Sequence, residues 1–288
     1  MSADRTPALS RAEVDRDAAA RENEAGLERA WATARVLVVD DGQALVDEEG
    51  IPALVFVSPE QAPPGDRLYL GRGDGTTYFA VAGPLSPAAG LRPRALREVG
   101  ALLSDRDAGL LVHAVAVSAW HASHPHCPRC GAATVSTRGG SVRRCTADGS
   151  EHFPRTDPAV IMLVTDGADR CVLGRQAVWP SGRFSTLAGF VEPGESAEQA
   201  VVREVSEETG LAVRDVVYRG SQPWPFPASL MLGYRAVCDG DATPHPRDGE
   251  LEDARWFHRD ELRREADVLL PTSVSIAWRL ITDWLDGV

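Results

Sequence analysis

The stretch Gly189 to Leu211, GFVEPGESAEQAVVREVSEETGL, admits few backbone courses. Pro193 and Gly194 interrupt regular structure, which suits a tight loop. Ser196 has the chemistry of a helix N-cap, and Gln199 three residues on completes a capping box. Ala197, Val201 and Val205 recur every four residues and give the helix one buried face. Gly210 is placed to close it in a left-handed conformation. A loop feeding a capped amphipathic helix is therefore predicted.

The polar side of that helix is heavily acidic. Glu204 and Glu208 are four residues apart and Glu207 lies three from Glu204, so three carboxylates project from nearly one face. Like charges at that spacing repel, and a divalent cation among them removes the penalty. Donors that are all oxygen select a hard ion, Mg2+ or Mn2+, over zinc. Arg203, four before Glu207, can hold a carboxylate in position. Solvated surface charge would account for the glutamates alone. Glu195 and the loop glycines favour the metal site.

At 288 residues the chain suits two domains, or one with an accessory module, and 43% apolar residues suffice for sizeable cores. A net charge of -12 argues against a general surface for DNA or an anionic membrane, which needs clustered Lys and Arg. No apolar run approaches the length that spans a bilayer. The first thirty residues are charged and lack the apolar core of a secretory signal, so a cytoplasmic location is expected.

Residues 1–30 read as an extension, mobile or helical. Over 31–122 an N-terminal α+β domain is expected, with ARVLVV, PALVFV, RLYLG and TTYFAVA as strands. Helical patterns follow over about Pro93 to Leu103 and Asp107 to Ala122. Residues 123–155 carry a cysteine module. Residues 156–288 form the last domain, with strands in PAVIMLVTD, CVLGRQ, VRDVVYRG, SLMLGYRAVC and DARWF and a closing helix around Ser273 to Leu285. No internal repeat is visible, and nothing in its sequence shows the N-terminal domain to be a decayed copy of the last.

Three of the five cysteines cluster, which fits a metal knuckle better than a disulfide framework. CPRCG brings Cys127 and Cys130 to one tetrahedral ion, and Cys145 follows at the usual distance to a second knuckle. That knuckle reads Cys145-Thr146-Ala147-Asp148, with aspartate where a fourth cysteine is expected. A structural Zn2+ on three thiolates is predicted, completed by Asp148 or His152, with His126 a weaker candidate. The alternative is a ribbon held by packing, with the zinc lost. Cys171 and Cys238 read as small buried hydrophobes.

Beyond the acidic helix stands SQPWPFPAS, residues 221–229. Its three alternating prolines keep it extended and exclude a central strand. Trp224 and Phe226 offer flat faces for packing or base stacking, and Gln222 and Ser229 offer polar contacts.

Together these segments carry a family resemblance. Gly189, Glu195, Arg203, Glu204, Glu207, Glu208 and Gly210 fill the fixed positions of what resembles the Nudix box. SQPWPFPxS resembles the motif that marks the NADH pyrophosphatase branch of that family. The order ribbon, box, motif spans about residues 120 to 288, and Asp148 is the one clear departure. The N-terminal third is similar only in length and general character.

For fold, the resemblance implies an α/β protein: a Nudix α/β/α sandwich with a mixed sheet, preceded by a small zinc-ribbon-like module and the α+β domain. For activity, it implies hydrolysis of the pyrophosphate in NADH or NAD to NMN(H) and AMP, a bond also present in NAD-capped RNA. The carbonyl of Ala188 and the side chains of Glu204, Glu208 and Glu250 would bind the catalytic divalent ions, with Glu207 close by. Glu252 and Asp253 are rivals for the place of Glu250, and Glu207 and Glu250 both qualify as general base. Phe190 would stack on a substrate ring. Gln222, Pro223, Trp224, Pro225, Phe226, Pro227, Ala228, Ser229 and Ala277 would line the nucleotide pocket. A homodimer is implied, the partner helping to close that pocket. Rival Nudix substrates are ADP-ribose, a diadenosine polyphosphate or an oxidised nucleoside triphosphate. A ligand-sensing ribbon protein is a further reading, which the complete box disfavours.

Overall fold

Two units make up the computed structural model, which describes residues 6–247 and 249–288; side chains of 265–269 lie outside the description. One unit comprises Leu9–Thr156 with Pro225–Ala228, and the other Asp157–Trp224 and Ser229–Val288 with residues 6–8.

In the N-terminal unit, α1 (Glu24–Trp31) starts at Asn23, whose side chain accepts from the Gly26 amide. Strands β1 (Arg35–Val39), β2 (Gln43–Asp47), β3 (Ala53–Leu54), β4 (Leu68–Gly73), β5 (Thr76–Ala82) and β6 (Leu91–Ala95) form two three-stranded sheets, ordered β1-β5-β4 and β3-β2-β6. β1 and β5 are parallel; the other pairs are antiparallel. The helix predicted from Pro93 is instead the end of β6 followed by the single turn α2 (Leu96–Val99). Pro93 opposes Leu45 on an edge strand, where a missing N–H need not interrupt the ladder. Of PALVFV, only β3 and a bridge from Val57 to Val36 are extended pairings. The second predicted helix is α3 (Asp105–Ser123), capped by Ser104. Residues 9–31 are folded, and α1 lies within them. Leu9 is buried, and Asp15 exchanges backbone hydrogen bonds with Arg72 at 2.9 and 2.8 Å. The first five residues of the predicted extension lie outside the described residues. A third small sheet, β7 (Thr134–Thr137), β8 (Val142–Cys145) and β9 (Glu151–His152), carries the cysteine module.

The second unit is built on strand alternation. β10 (Asp157–Thr165) sends Val160, Met162 and Val164 to one core and Ile161 and Leu163 to the other. Both faces are covered, which is why its sequence is an unbroken apolar run. β11 (Arg170–Arg175) and β12 (Leu187–Phe190) pair with β10, and α4 (Ala197–Thr209) covers one face through Ala200, Val201 and Val205. β13 (Val213–Trp224), β14 (Ser229–Cys238) and β15 (Asp253–His258) complete a six-stranded sheet ordered β13-β14-β10-β11-β15, in which only β10 and β14 run parallel. α5 (Arg259–Leu269) follows, and α6 (Ile276–Leu285) covers the other face through Ile276, Leu280, Ile281 and Trp284. This is the expected α/β/α sandwich with a mixed sheet. Pro223 sits in β13, the sheet's edge, in keeping with the exclusion of the proline motif from a central strand. No described helix is long and apolar enough to cross a membrane.

Candidate active site

The acidic cluster is assembled by a loop, a helix and one arginine. Ser196 and Gln199 form the capping box, and Gly210 closes α4 at φ 73°, both as the sequence predicts. Arg203 then ties the helix to the loop before it. Its Nε and Nη2 donate to both oxygens of Glu195, at 2.9 and 2.8 Å. Nη1 reaches Glu204 at 2.8 Å and Glu207 at 3.0 Å, and Nη2 also donates to the Phe190 carbonyl at 2.9 Å. The fork is bidentate, the geometry that only arginine provides. Glu195 is further held by the Glu192 amide, and its carboxyl is pulled down to about 2, first by Arg203 and then by that amide. Arg203 itself is held firmly protonated, first by Glu195.

Glu208 is 3% exposed, whereas the Glu207 side chain is 53% exposed. Burial raises the Glu204 carboxyl above its ordinary value; Arg203 opposes this, while Glu207 and Glu250 add to it. Glu250, distant in sequence, is thus within electrostatic reach of Glu204. The Glu252 carboxylate is paired with Arg175 at 2.6 Å. Asp253 opens β15 opposite Arg175.

Two features test whether a cation fits here. A β-carbon at Gly189 would lie 1.9 Å from Cδ of Glu204, so only glycine lets that carboxylate rest on the strand beside Ala188. Glu207 and Glu208 occupy the last turn of α4, which has no basic residue, at the negative end of the helix dipole. A buried carboxylate there calls for positive charge. Oxygen donors in that setting fit a hard divalent ion.

The remaining residues expected at the site fall into three settings. Phe190 is 58% exposed, its carbonyl fixed by Arg203 and its ring open to a partner. Gln222 is fully buried and its amide donates to the Val274 carbonyl at 3.1 Å, a structural bond the sequence did not suggest. Ala277 is likewise buried, in the core under α6. Pro223 and Trp224 end β13 and Ser229 begins β14. Pro225, Phe226, Pro227 and Ala228 belong to the N-terminal unit, where the Arg97 guanidinium lies 4.1 Å from the centre of the Phe226 ring.

In the cysteine module, Cys127, Cys130, Cys145 and Asp148 bring their ligand atoms within 4.8 Å of one another. Amides of Arg129, Ala147 and Asp148 point at the sulfurs, at 3.4 to 3.5 Å. Ser150 organises the fourth corner: its hydroxyl donates to Asp148 at 2.6 Å and lies 3.6 Å from Cys127. Burial raises the Cys127 thiol, but its contact with Ser150 and the amides of the turn outweigh this and bring it to about 6. Asp148 is held at about 2, first by the Ser150 hydroxyl. Of the two fourth-ligand candidates, the structure brings Asp148 to the sulfurs and leaves His152 against Ser150 at 3.2 Å. His126 pairs with Ala133 outside the cluster. Three thiols and a carboxylate make a donor set that a tetrahedral metal accepts.

Comparisons with known proteins match the chain over most of its length. Residues 155–278 match the model of the NUDIX domain, 122–153 that of the NADH pyrophosphatase zinc ribbon domain, and 33–120 that of an NADH pyrophosphatase-like rudimentary NUDIX domain. The chain is 42% identical over 295 residues to proteins described as NAD-capped RNA hydrolase NudC in Mycobacterium bovis (strain BCG / Pasteur 1173P2) and Mycobacterium tuberculosis (strain ATCC 25618 / H37Rv). Each alignment covers 96% of this chain and 94% of the relative. The NAD-capped RNA hydrolase NUDT12 of Homo sapiens is 41% identical over 64% of this chain and 43% of its own length. With its box intact and its likeness running nearly end to end, the chain belongs to the Nudix hydrolase family, among members that join a rudimentary Nudix domain, a zinc ribbon and a complete Nudix domain.

Proposed function

We propose that the chain hydrolyses the pyrophosphate of NADH and NAD to NMN(H) and AMP, and removes NAD caps from RNA 5′ ends by cutting the same bond. The observation that carries this reading is the SQPWPFPAS segment in a chain 42% identical, over 96% of its length, to proteins described as NAD-capped RNA hydrolases. In this reading the Ala188 carbonyl, Glu204, Glu208 and Glu250, with Glu207 beside them, hold Mg2+ or Mn2+. Such an ion supplies an acidified water and neutralises phosphoryl oxygens.

The protein's residues do the rest. Arg203 locks Glu195, Glu204 and the Phe190 carbonyl into one frame, so the carboxylates face the substrate already ordered. The exposed ring of Phe190 stacks on the substrate, and Trp224 and Phe226 give the specificity segment its flat faces. Glu207, whose side chain is 53% exposed, takes the proton from the attacking water, which leaves Glu250 to the ion. Cys127, Cys130, Cys145 and Asp148 hold one structural zinc. A homodimer and a cytoplasmic location, where NAD(H) is met in a reducing compartment, belong to the same reading.

A panel of NADH, NAD, ADP-ribose, a diadenosine polyphosphate and an oxidised nucleoside triphosphate, with added Mg2+ or Mn2+, tests the substrate. NMN(H) and AMP as the fastest-formed products support it; faster cleavage of any other member overturns it. Metal analysis of protein purified without chelator tests the zinc, and light scattering tests the dimer.

A further inference from the structure

We infer that Arg175 is a positioning residue for Glu250, an inference that rests on the assignment of Glu250 to the divalent-ion site. β11 ends at Gly174-Arg175 and its partner β15 begins at Asp253, so Glu250 stands just beyond the paired ladder. Regular strand pairing no longer sets its direction.

Two contacts take the ladder's place. Leu251 packs so closely on Gly174 that a β-carbon there would lie 2.8 Å from its Cδ1. Next to it, the Glu252 amide donates to the Arg175 carbonyl at 2.8 Å, and Arg175 Nε donates to the Glu252 carboxylate at 2.6 Å. The residues following Glu250 are thus pinned to the end of β11 by one apolar and one ionic contact. The pairing also withdraws Glu252 from competing with Glu250 for a cation.

The same guanidinium faces a second segment. Nη1 donates to the Pro180 carbonyl at 2.8 Å and Nη2 to the Trp179 carbonyl at 3.4 Å. Both carbonyls lie in the loop between β11 and β12, closed at its base by reciprocal hydrogen bonds of Gly174 and Ser185. A planar group with three nitrogens in fixed directions can serve the carboxylate and the two carbonyls together; a lysine ammonium cannot. The Arg175 side chain is 14% exposed but that of Glu252 is 51% exposed. Such half-exposed pairs add little to folding stability. Loss of Arg175 therefore shows in the placement of Glu250 more than in the melting temperature.

The test uses the full chain carrying Arg175→Gln, Arg175→Lys, Glu250→Gln, and Arg175→Gln combined with Glu250→Gln. Mn2+ binding is followed by electron paramagnetic resonance of the free ion, alongside NADH turnover and thermal melting. Arg175→Gln is expected to weaken Mn2+ binding about tenfold, the low end for a residue that orients a metal ligand. KM for NADH at saturating metal stays within roughly twofold, because substrate contacts are untouched. Arg175→Lys recovers part of the loss, and Arg175→Gln does no further harm once Glu250 is glutamine. Unchanged Mn2+ binding in Arg175→Gln, or losses that simply add in the double variant, overturns the inference. If Arg175→Gln does not fold, Arg175→Lys decides on the same two criteria, alone and combined with Glu250→Gln. A wild-type protein that binds Mn2+ with these dependences yet leaves NADH intact keeps the role of Arg175 and rejects the substrate.

Discussion

The two units share a scheme and differ in what their helices carry. Each contains one parallel strand pair, β1 with β5 and β10 with β14, beside antiparallel neighbours. In the N-terminal unit, α3 turns nine residues into the protein, nearly all apolar, and its buried acid Asp107 serves the fold. One Asp107 oxygen accepts from the Leu54 amide at 2.9 Å and the other from Arg106 at 2.8 Å. In the Nudix unit, α4 is a shorter helix whose buried face coexists with Glu204, Glu207 and Glu208. Asp107 has both oxygens taken by donors of its own and serves the fold, whereas Glu204 and Glu207 share one arginine at the C-terminal end of α4, a setting that favours a cation. Related scaffolds therefore do not imply related sites.

The contrast predicts a graded set of effects. Glu208→Gln should abolish nearly all turnover, on the order of hundredfold or more, with the melting profile preserved. Near-normal turnover at saturating metal would mean that α4 is no more catalytic than α3. Asp107→Ala should do the opposite, leaving the rate per folded molecule alone and destabilising the N-terminal unit by about 3 kcal/mol, since its donors lose a buried anion. Urea titration monitored in that unit measures it, and an unchanged midpoint removes the structural role.

Smaller effects probe specificity. Trp224→Ala or Phe226→Ala should lower the preference for NADH over ADP-ribose by about tenfold, the value of one lost stacking face. An unaltered ratio of kcat/KM between the two substrates reduces these aromatics to packing.

The smallest effect near neutral pH belongs to His113 on α3. Burial, then the charges of Arg16 and Arg21, drive its imidazole down to about 3, against an opposing hydrogen bond with the Leu70 backbone. The folded state keeps it neutral, while the unfolded chain takes up its proton at the ordinary value of 6.5. Its contribution to stability is therefore complete above pH 6.5 and is lost as pH falls from there towards 3. His113→Gln should flatten stability against pH over that window; an equally steep decline in the variant assigns the acid sensitivity elsewhere.

Local spacing determined much of this protein. The capping box, the Gly210 stop, the three carboxylates on one helix side and the double-faced run of β10 all follow from contacts between near neighbours in the chain. The cysteine spacing likewise defined three corners of a candidate tetrahedron. Tertiary structure decided what depends on which segments become neighbours. It bound Arg203 chiefly to Glu195, gave Glu252 to Arg175, and turned Gln222 inward to Val274. It brought Asp148 beside the three cysteine sulfurs, and it placed Pro93 on an edge strand where periodicity suggested a helix. The turn residues and helix faces were legible because their energetics are local. These pairings were not, because a charged or amide side chain satisfies the same chemistry with any suitable partner, and only the packed sheet determines which partner is within reach.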